Sequence, residues 1–206
     1  MSTADRTLVI ETATEACSIA LFEGDQLISN EHREIGRGHA ETLVPMIADL
    51  PGKGRADRIL VSLGPGSFTG VRIGIATARA LGVAWGATVL GYPTLALVFS
   101  AAEQCGPATV CMNGGHGEWF VQNFDVNGSG GELHSISPDA AAAGEVHGTV
   151  LGNRAQELID LVGGNRTAIA LLPNASMAHL LKRGVPTTDL TPIYGRAPDA
   201  KPQAAA

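Results

Sequence analysis

The 206-residue sequence predicts an α/β fold of two lobes, in which mixed sheets carry helices on their faces and the second lobe is the smaller. Three observations lead there. Strand-like segments follow one another at the start, before any helical period appears. Helical and strand-like segments then alternate, in the order βββαβαβα. After Gly106-Pro107 a shorter version of the same order begins again.

Thr7 to Ala13 is a β-branched run, Ala16 to Phe22 is a second, and Gln26 to Arg33 alternates after the turn Glu23-Gly24-Asp25. Three antiparallel strands follow from this. From Gly38 to Leu50 the apolar residues Leu43, Met46, Ile47 and Leu50 fall at helical spacing. Pro45 inside that segment removes one helical hydrogen bond. Arg58 to Leu63 reads as a strand, Thr69 to about Trp85 as a helix, Thr88 to Tyr92 as a strand and Pro93 to Gln104 as a helix. In the second half, strands are expected at Thr109 to Met112, Trp119 to Asp125, Glu132 to Ile136, Val150-Leu151 and Thr167 to Leu172. Helices are expected at Asn153 to Val162 and Ala175 to Lys182. A meander followed by alternating elements matches the ribonuclease H-like half of actin-type folds, an analogy of fold that carries no function. The expected division is residues 1–105 for the first lobe, 106–185 for the second, and 186–206 for a Pro- and Ala-rich tail frayed beyond Arg196.

The chain is 45% hydrophobic and 17% charged, enough apolar content to bury a core. Its formal charge is -6, and its basic residues never cluster beyond Lys182-Arg183. Salt-sensitive grip on a nucleic-acid backbone is therefore not expected of this chain by itself. Cys17, Cys105 and Cys111 are odd in number and lack metal or redox spacing, so they read as reduced, buried residues. Met1 to Arg6 leads into a strand without a basic-then-apolar leader, and no apolar run reaches the ~20 residues of a membrane span. A cytoplasmic protein is the expectation.

Gly64-Pro65-Gly66-Ser67-Phe68-Thr69-Gly70-Val71-Arg72-Ile73-Gly74 joins a strand to a helix in the manner of a phosphate loop. A mononucleotide loop needs Lys-Ser/Thr after its last glycine, where Val71-Arg72 stands. A dinucleotide loop needs an acid some 20 residues on, and no carboxylate occurs between Asp57 and Glu103. Gly70, Gly74, Ala78 and Gly82 recur every fourth residue and so share one helix face. The interior glycines Gly74 and Gly82 cost about 2 kcal/mol of helix propensity, which suits close approach of another backbone, either this chain's own sheet or a second chain. Arg72 and Arg79 lie on one side of the helix with no acid nearby in sequence, either solvated or free to meet a partner's acids.

No two histidines stand one helical turn apart, so no metal site is expected. His39 opens the first helix without a partner, and His116 lies in the turn Gly114-Gly115-His116-Gly117. Ser67 has Thr69 where a nucleophile elbow needs glycine, which favours a helix-capping hydroxyl from Ser67 or Thr69. Glu11-Thr12-Ala13-Thr14 occupies the place of the first phosphate-binding turn of an actin-type ATPase. The second such turn, Cys111 to Gly115, has no carboxylate.

Leu63 to Gly74, Glu11 to Ser18 and His39 to Met46 together resemble the TsaB (YeaZ) family of tRNA threonylcarbamoyladenosine biosynthesis proteins. The likeness is looser at Asn113 to Phe120, which keeps Glu118 and an aromatic but lacks the usual acid and arginine, and at Pro192-Ile193-Tyr194-Gly195-Arg196. The resemblance implies a two-lobed actin-like chain without catalytic residues. It would need no cofactor of its own and support a TsaD-like catalytic paralogue that holds the metal, together with the TsaE-like ATPase. Transfer goes to the adenosine beside the anticodon, with tRNA met only through the complex, and a homodimer can form when the partner is absent. His39, Leu43, Met46, Ile47, Gly70, Val71, Arg72, Gly74, Ile75, Ala78, Arg79 and Gly82 would form the shared surface, on the order of 800 Å² per partner. Glu11, Thr12 and Ser67 would keep any residual nucleotide-facing role. On that basis Gly74→Leu is expected to block binding and leave the monomer folded. The alternative is a stand-alone actin-like or sugar-kinase-like ATPase or phosphotransferase.

Overall fold

The computed structural model of the chain describes residues 5–102, 106–181 and 185–195. Its first sheet holds β1 (Arg6–Glu11), β2 (Ala16–Glu23) and β3 (Gln26–Glu34) as an antiparallel meander. β4 (Arg58–Ser62) and β5 (Thr88–Tyr92) add in parallel on the other side, in the order β3-β2-β1-β4-β5. The second sheet repeats this plan with β6 (Ala108–Gly115), β7 (Glu118–Phe124), β8 (His134–Ile136), β9 (Thr149–Leu151) and β10 (Thr167–Ile169), ordered β10-β9-β6-β7-β8. The expected α/β fold of two lobes is therefore observed, with the ribonuclease H-like strand order once in each lobe.

Local chemistry explains the element ends. His116 (φ 52°) and Gly117 (φ 80°) form the two-residue turn between β6 and β7, since left-handed backbone at both positions matches the twist of the paired strands. α1 (His39–Asp49) buries His39, Leu43, Met46 and Ile47 and leaves Pro45 outside. α2 (Phe68–Trp85) begins at Ser67, whose hydroxyl accepts from the Gly70 amide at 3.3 Å, and ends at Gly86 in left-handed conformation. Ser67, not Thr69, is thus the cap.

α3 (Thr94–Ala101) lies between the two sheets. Leu97 joins Val9, Phe22 and Tyr92 of the first, whereas Leu95 and Val98 join Val110, Phe120 and Leu151 of the second. Ring stacking of Phe99 on Phe124, with centroids 4.8 Å apart, extends the second contact. Residues 103–105, which include the expected end of this helix and Cys105, lie outside the described residues.

Four differences from the sequence reading stand out. α4 (Pro138–Ala143) was not expected, although Ser137-Pro138 carries a cap and a first-turn proline, and Ser137 accepts from the Ala140 amide. α5 (Ala155–Val162) starts two residues later than the period suggested. The expected helix from Ala175 is a 3-10 turn over Ala175–Leu180. Ala175 and Ala178 pack with Val9, Ala20 and Phe22, so the chain has returned to the first lobe before residue 185. Residues 186–195, the part of the tail not expected to fray, form a strap on the first lobe. Thr187 bridges Gly91, the Ile193 amide donates to Leu63 O at 2.7 Å, and Leu190 and Ile193 pack on the core. Residues 182–184 and 196–206 lie outside the described residues.

Candidate functional site

The turn that resembles a phosphate loop is closed by the chain's own backbone. A phosphate at such a turn would need free N–H groups at the start of α2. Here the Ser67 amide donates to Ala13 O at 2.6 Å, and the Gly70 amide goes to the Ser67 hydroxyl. Gly66 lies so close to Ala13 O, and Gly70 to Thr12 O, that a Cβ at either position would overlap the turn between β1 and β2.

Gly74 and Gly82 answer the question left open by the glycine stripe. A Cβ at Gly74 would overlap the Thr12 hydroxyl, and one at Gly82 would stand 2.5 Å from Val89 Cγ2. The stripe faces the first sheet. Gly70, Val71, Gly74, Ile75, Ala78 and Gly82 are buried there, as are His39, Leu43, Met46 and Ile47 of α1. The expected shared surface is corrected accordingly: of its twelve residues only Arg72 and Arg79 are exposed. His39 sits against β2 with Nε2 3.3 Å from Ala16 O.

Glu11 and Thr12 also turn inward rather than toward a ligand. Thr12 donates its hydroxyl to Gly70 O at 2.8 Å, tying the end of β1 to α2. Glu11 is fully buried. It accepts from the Ala13 amide at 2.8 Å through Oε1, and its Oε2 lies 3.2 Å from the Tyr92 hydroxyl. Burial pushes its carboxyl up to about 7, against the opposing pull of the Ala13 and Tyr92 hydrogen bonds. The Tyr92 hydroxyl is also 3.2 Å from Ile10 O and has one proton for two acceptors. Its proton is shared between Glu11 Oε2 and Ile10 O, so each bond is long. Glu11 is thus a buried carboxyl bonded within the chain.

Arg72 and Arg79 are not simply solvated. Arg72 Nε donates to the Tyr194 hydroxyl at 3.0 Å, and its guanidinium lies 3.5 Å above the Phe68 ring. Arg79 reaches Leu190 O at 3.5 Å. Both therefore hold the strap against α2, more than 110 residues away in sequence.

The lobes are joined at their facing turns. Asn153 donates from Nδ2 to Glu15 Oε1 at 2.9 Å and accepts from the Asn113 amide at 2.8 Å. Gly195 fits between Phe120 of the second sheet and Pro65 of the loop, where a Cβ would lie 2.7 Å from the Phe120 ring. Tyr92, Asn153 and the Arg72–Tyr194 pair escaped the sequence reading, because each depends on a partner distant in sequence. Among the described residues no three His, Cys, Asp or Glu converge as a metal-holding group, and no helix is long and apolar enough to cross a membrane. His116 is an exposed turn residue. Burial raises the thiols of Cys17 and Cys111 to about 11 and about 12, which leaves them unreactive.

Comparison with known proteins gives a consistent result. The family profile described as TsaD, tRNA N6-adenosine threonylcarbamoyltransferase, matches residues 28–148, more than half of the chain. The tRNA threonylcarbamoyladenosine biosynthesis protein TsaB of Escherichia coli (strain K12) is 36% identical over 134 residues, which cover 60% of this chain and 57% of that protein. The protein of the same name from Haemophilus influenzae is 40% identical over 86 residues, covering 39% and 35%. The chain thus matches only 57% and 35% of the length of these two relatives. The solved structure of YeaZ from Pseudomonas aeruginosa superimposes with a TM-score of 0.76 at 26% identity, covering 92% of this chain and 99% of that one.

Proposed function

The chain belongs to the TsaD family of threonylcarbamoyltransferase-related proteins, in its TsaB (YeaZ) branch, and from that premise we propose that it is a non-catalytic subunit in the formation of threonylcarbamoyladenosine on tRNA. It binds and supports a TsaD-like catalytic paralogue, which holds the metal, alongside a TsaE-like ATPase. It meets tRNA only through that assembly and works in the cytoplasm. The observation that carries this reading is the state of the loop from Gly64 to Gly74. Its Ser67 and Gly70 amides are used inside the chain, and the acid beside it, Glu11, is buried under Tyr92. A chain whose nucleotide-binding parts have been turned into internal bonds keeps the family's architecture as a scaffold.

The surface it offers is the outer side of α1 and α2. Val44 is 56% exposed and Val83 87% exposed, with Ala48, Ala76 and Ala80 also open to solvent. Apolar and small residues on two neighbouring helices suit a helix-on-helix contact, with a second copy of this chain or with the paralogue.

The test is a reconstitution with the TsaD-like and TsaE-like proteins, the adenylate-forming enzyme, ATP, threonine, bicarbonate and unmodified tRNA. Multiple-turnover formation of modified adenosine is expected only when this chain is added. Equal product with and without it would overturn the role.

A further inference from the structure

Arg72, Ala76, Arg79 and Val83 follow one another at steps of four and three along α2, and all four are exposed, so they share its outer side. Where that side meets the strap, Arg72, Ile75, Ala76, Arg79, Leu190 and Pro192 line a groove of about 220 Å³. Its floor is apolar, and at its ends stand Arg72 and Arg79, whose backbones are about 10 Å apart along the helix.

Neither guanidinium takes part in an ion pair among the described residues. Arg72 spends its Nε on Tyr194 and is held flat against Phe68, so its terminal nitrogens remain as donors. Arg79 makes one long bond to Leu190 O. In a chain of net charge -6 these two cations form a local positive site on a negative background. An acidic partner is drawn to this side and repelled elsewhere.

We propose that the groove docks an acidic helical segment of a partner protein, one that carries two carboxylates near positions i and i+7 with an apolar side chain between them. Each carboxylate would pair with one guanidinium, and the apolar residue would settle over Ala76, whose small side chain permits close approach. This rests on the reading of the chain as a binding subunit and names the chemistry by which its partner is recognised. Polynucleotide is the poorer occupant, because its many phosphates would meet the chain's net negative charge and gain nothing from Leu190 and Pro192.

The test is an NMR titration of the full chain with two synthetic helical peptides. One carries Glu at i and i+7 with Leu between them, and the other has both Glu replaced by Gln. The Glu peptide is expected to shift the amides of Ile75, Ala76 and Leu190 at a concentration at least tenfold lower than the Gln peptide. Arg79→Glu should weaken this at least tenfold. Ala76→Glu should abolish it while keeping the melting temperature, since the new carboxylate lies four residues from Arg72 and three from Arg79 and pairs with both. Equal response to the two peptides, or retained binding by Ala76→Glu, would overturn the proposal. So would an anticodon stem-loop RNA that moves the same amides at lower concentration. A chain that takes the Glu peptide yet is dispensable in the reconstitution would lose its proposed function and keep the groove. The opposite pair of results would remove only the groove.

Discussion

The two lobes make the same turn in different ways. In each, a strand joins the first strand of its sheet in parallel, a glycine with positive φ follows, and a helix crosses back. The glycine is Gly64 (φ 91°) after β4 and Gly152 (φ 113°) after β9. In the second lobe the crossing helix α5 has eight residues and packs by ordinary side chains, Ala155 and Leu158. In the first, α2 has 18 residues and presents glycine to the sheet. Side chains that interdigitate can shift when one changes, whereas a backbone resting on neighbouring side chains has little room to give. The first lobe thus gains a close, unyielding joint between α2 and its sheet.

The largest test of that contrast is Gly74→Leu. The new side chain would displace the Thr12 hydroxyl and break its bond to Gly70 O, so a loss of about 3 kcal/mol or more is expected in urea denaturation. This replaces the earlier expectation of a folded monomer that merely fails to bind. A wild-type midpoint would show that α2 can lift from the sheet.

Glu11→Gln probes the buried proton of the first lobe. A carboxyl at about 7 in the fold against an ordinary 4.5 binds its proton more readily folded than unfolded. Its contribution is therefore complete below pH 4.5 and disappears as pH rises to 7, about 3 kcal/mol in all. Wild-type stability relative to Glu11→Gln should fall across that window and be level above it. A difference that does not vary with pH would dismiss the raised carboxyl.

The smallest effect is expected where the lobes meet. Asn153→Ala removes the donor to Glu15 and the acceptor of the Asn113 amide, at a cost of about 1–2 kcal/mol, with faster hydrogen exchange at Asn113. Unchanged exchange there would mean that the strap at Gly195, rather than Asn153, holds the second lobe in place.

Legibility followed the range of the interactions. The meander up to Arg33, the helices α1 and α2 and the strand Thr88–Tyr92 were readable, because period, caps and turn residues act over a few positions. The second lobe was read less sharply. Its β8, β9 and β10 are three residues each, too short for alternation to declare itself, and α4 is a single short helix after Ser137. The strap's packing was not legible, because Leu190 and Ile193 are held by a core assembled from distant segments.

The sequence by itself determined the order of elements, the repeated plan of the lobes, a hydroxyl cap at Ser67 or Thr69, the turn at His116 and the departure of the Gly64–Gly74 loop from any phosphate-binding pattern. Only the tertiary structure decided what the glycine stripe faces, what buries Glu11 and what Arg72 holds. A four-residue spacing places groups on one side of a helix but is silent about what lies opposite. Tyr92 and Tyr194 come to Glu11 and Arg72 across 81 and 122 residues, brought there by burial of the core rather than by any local preference.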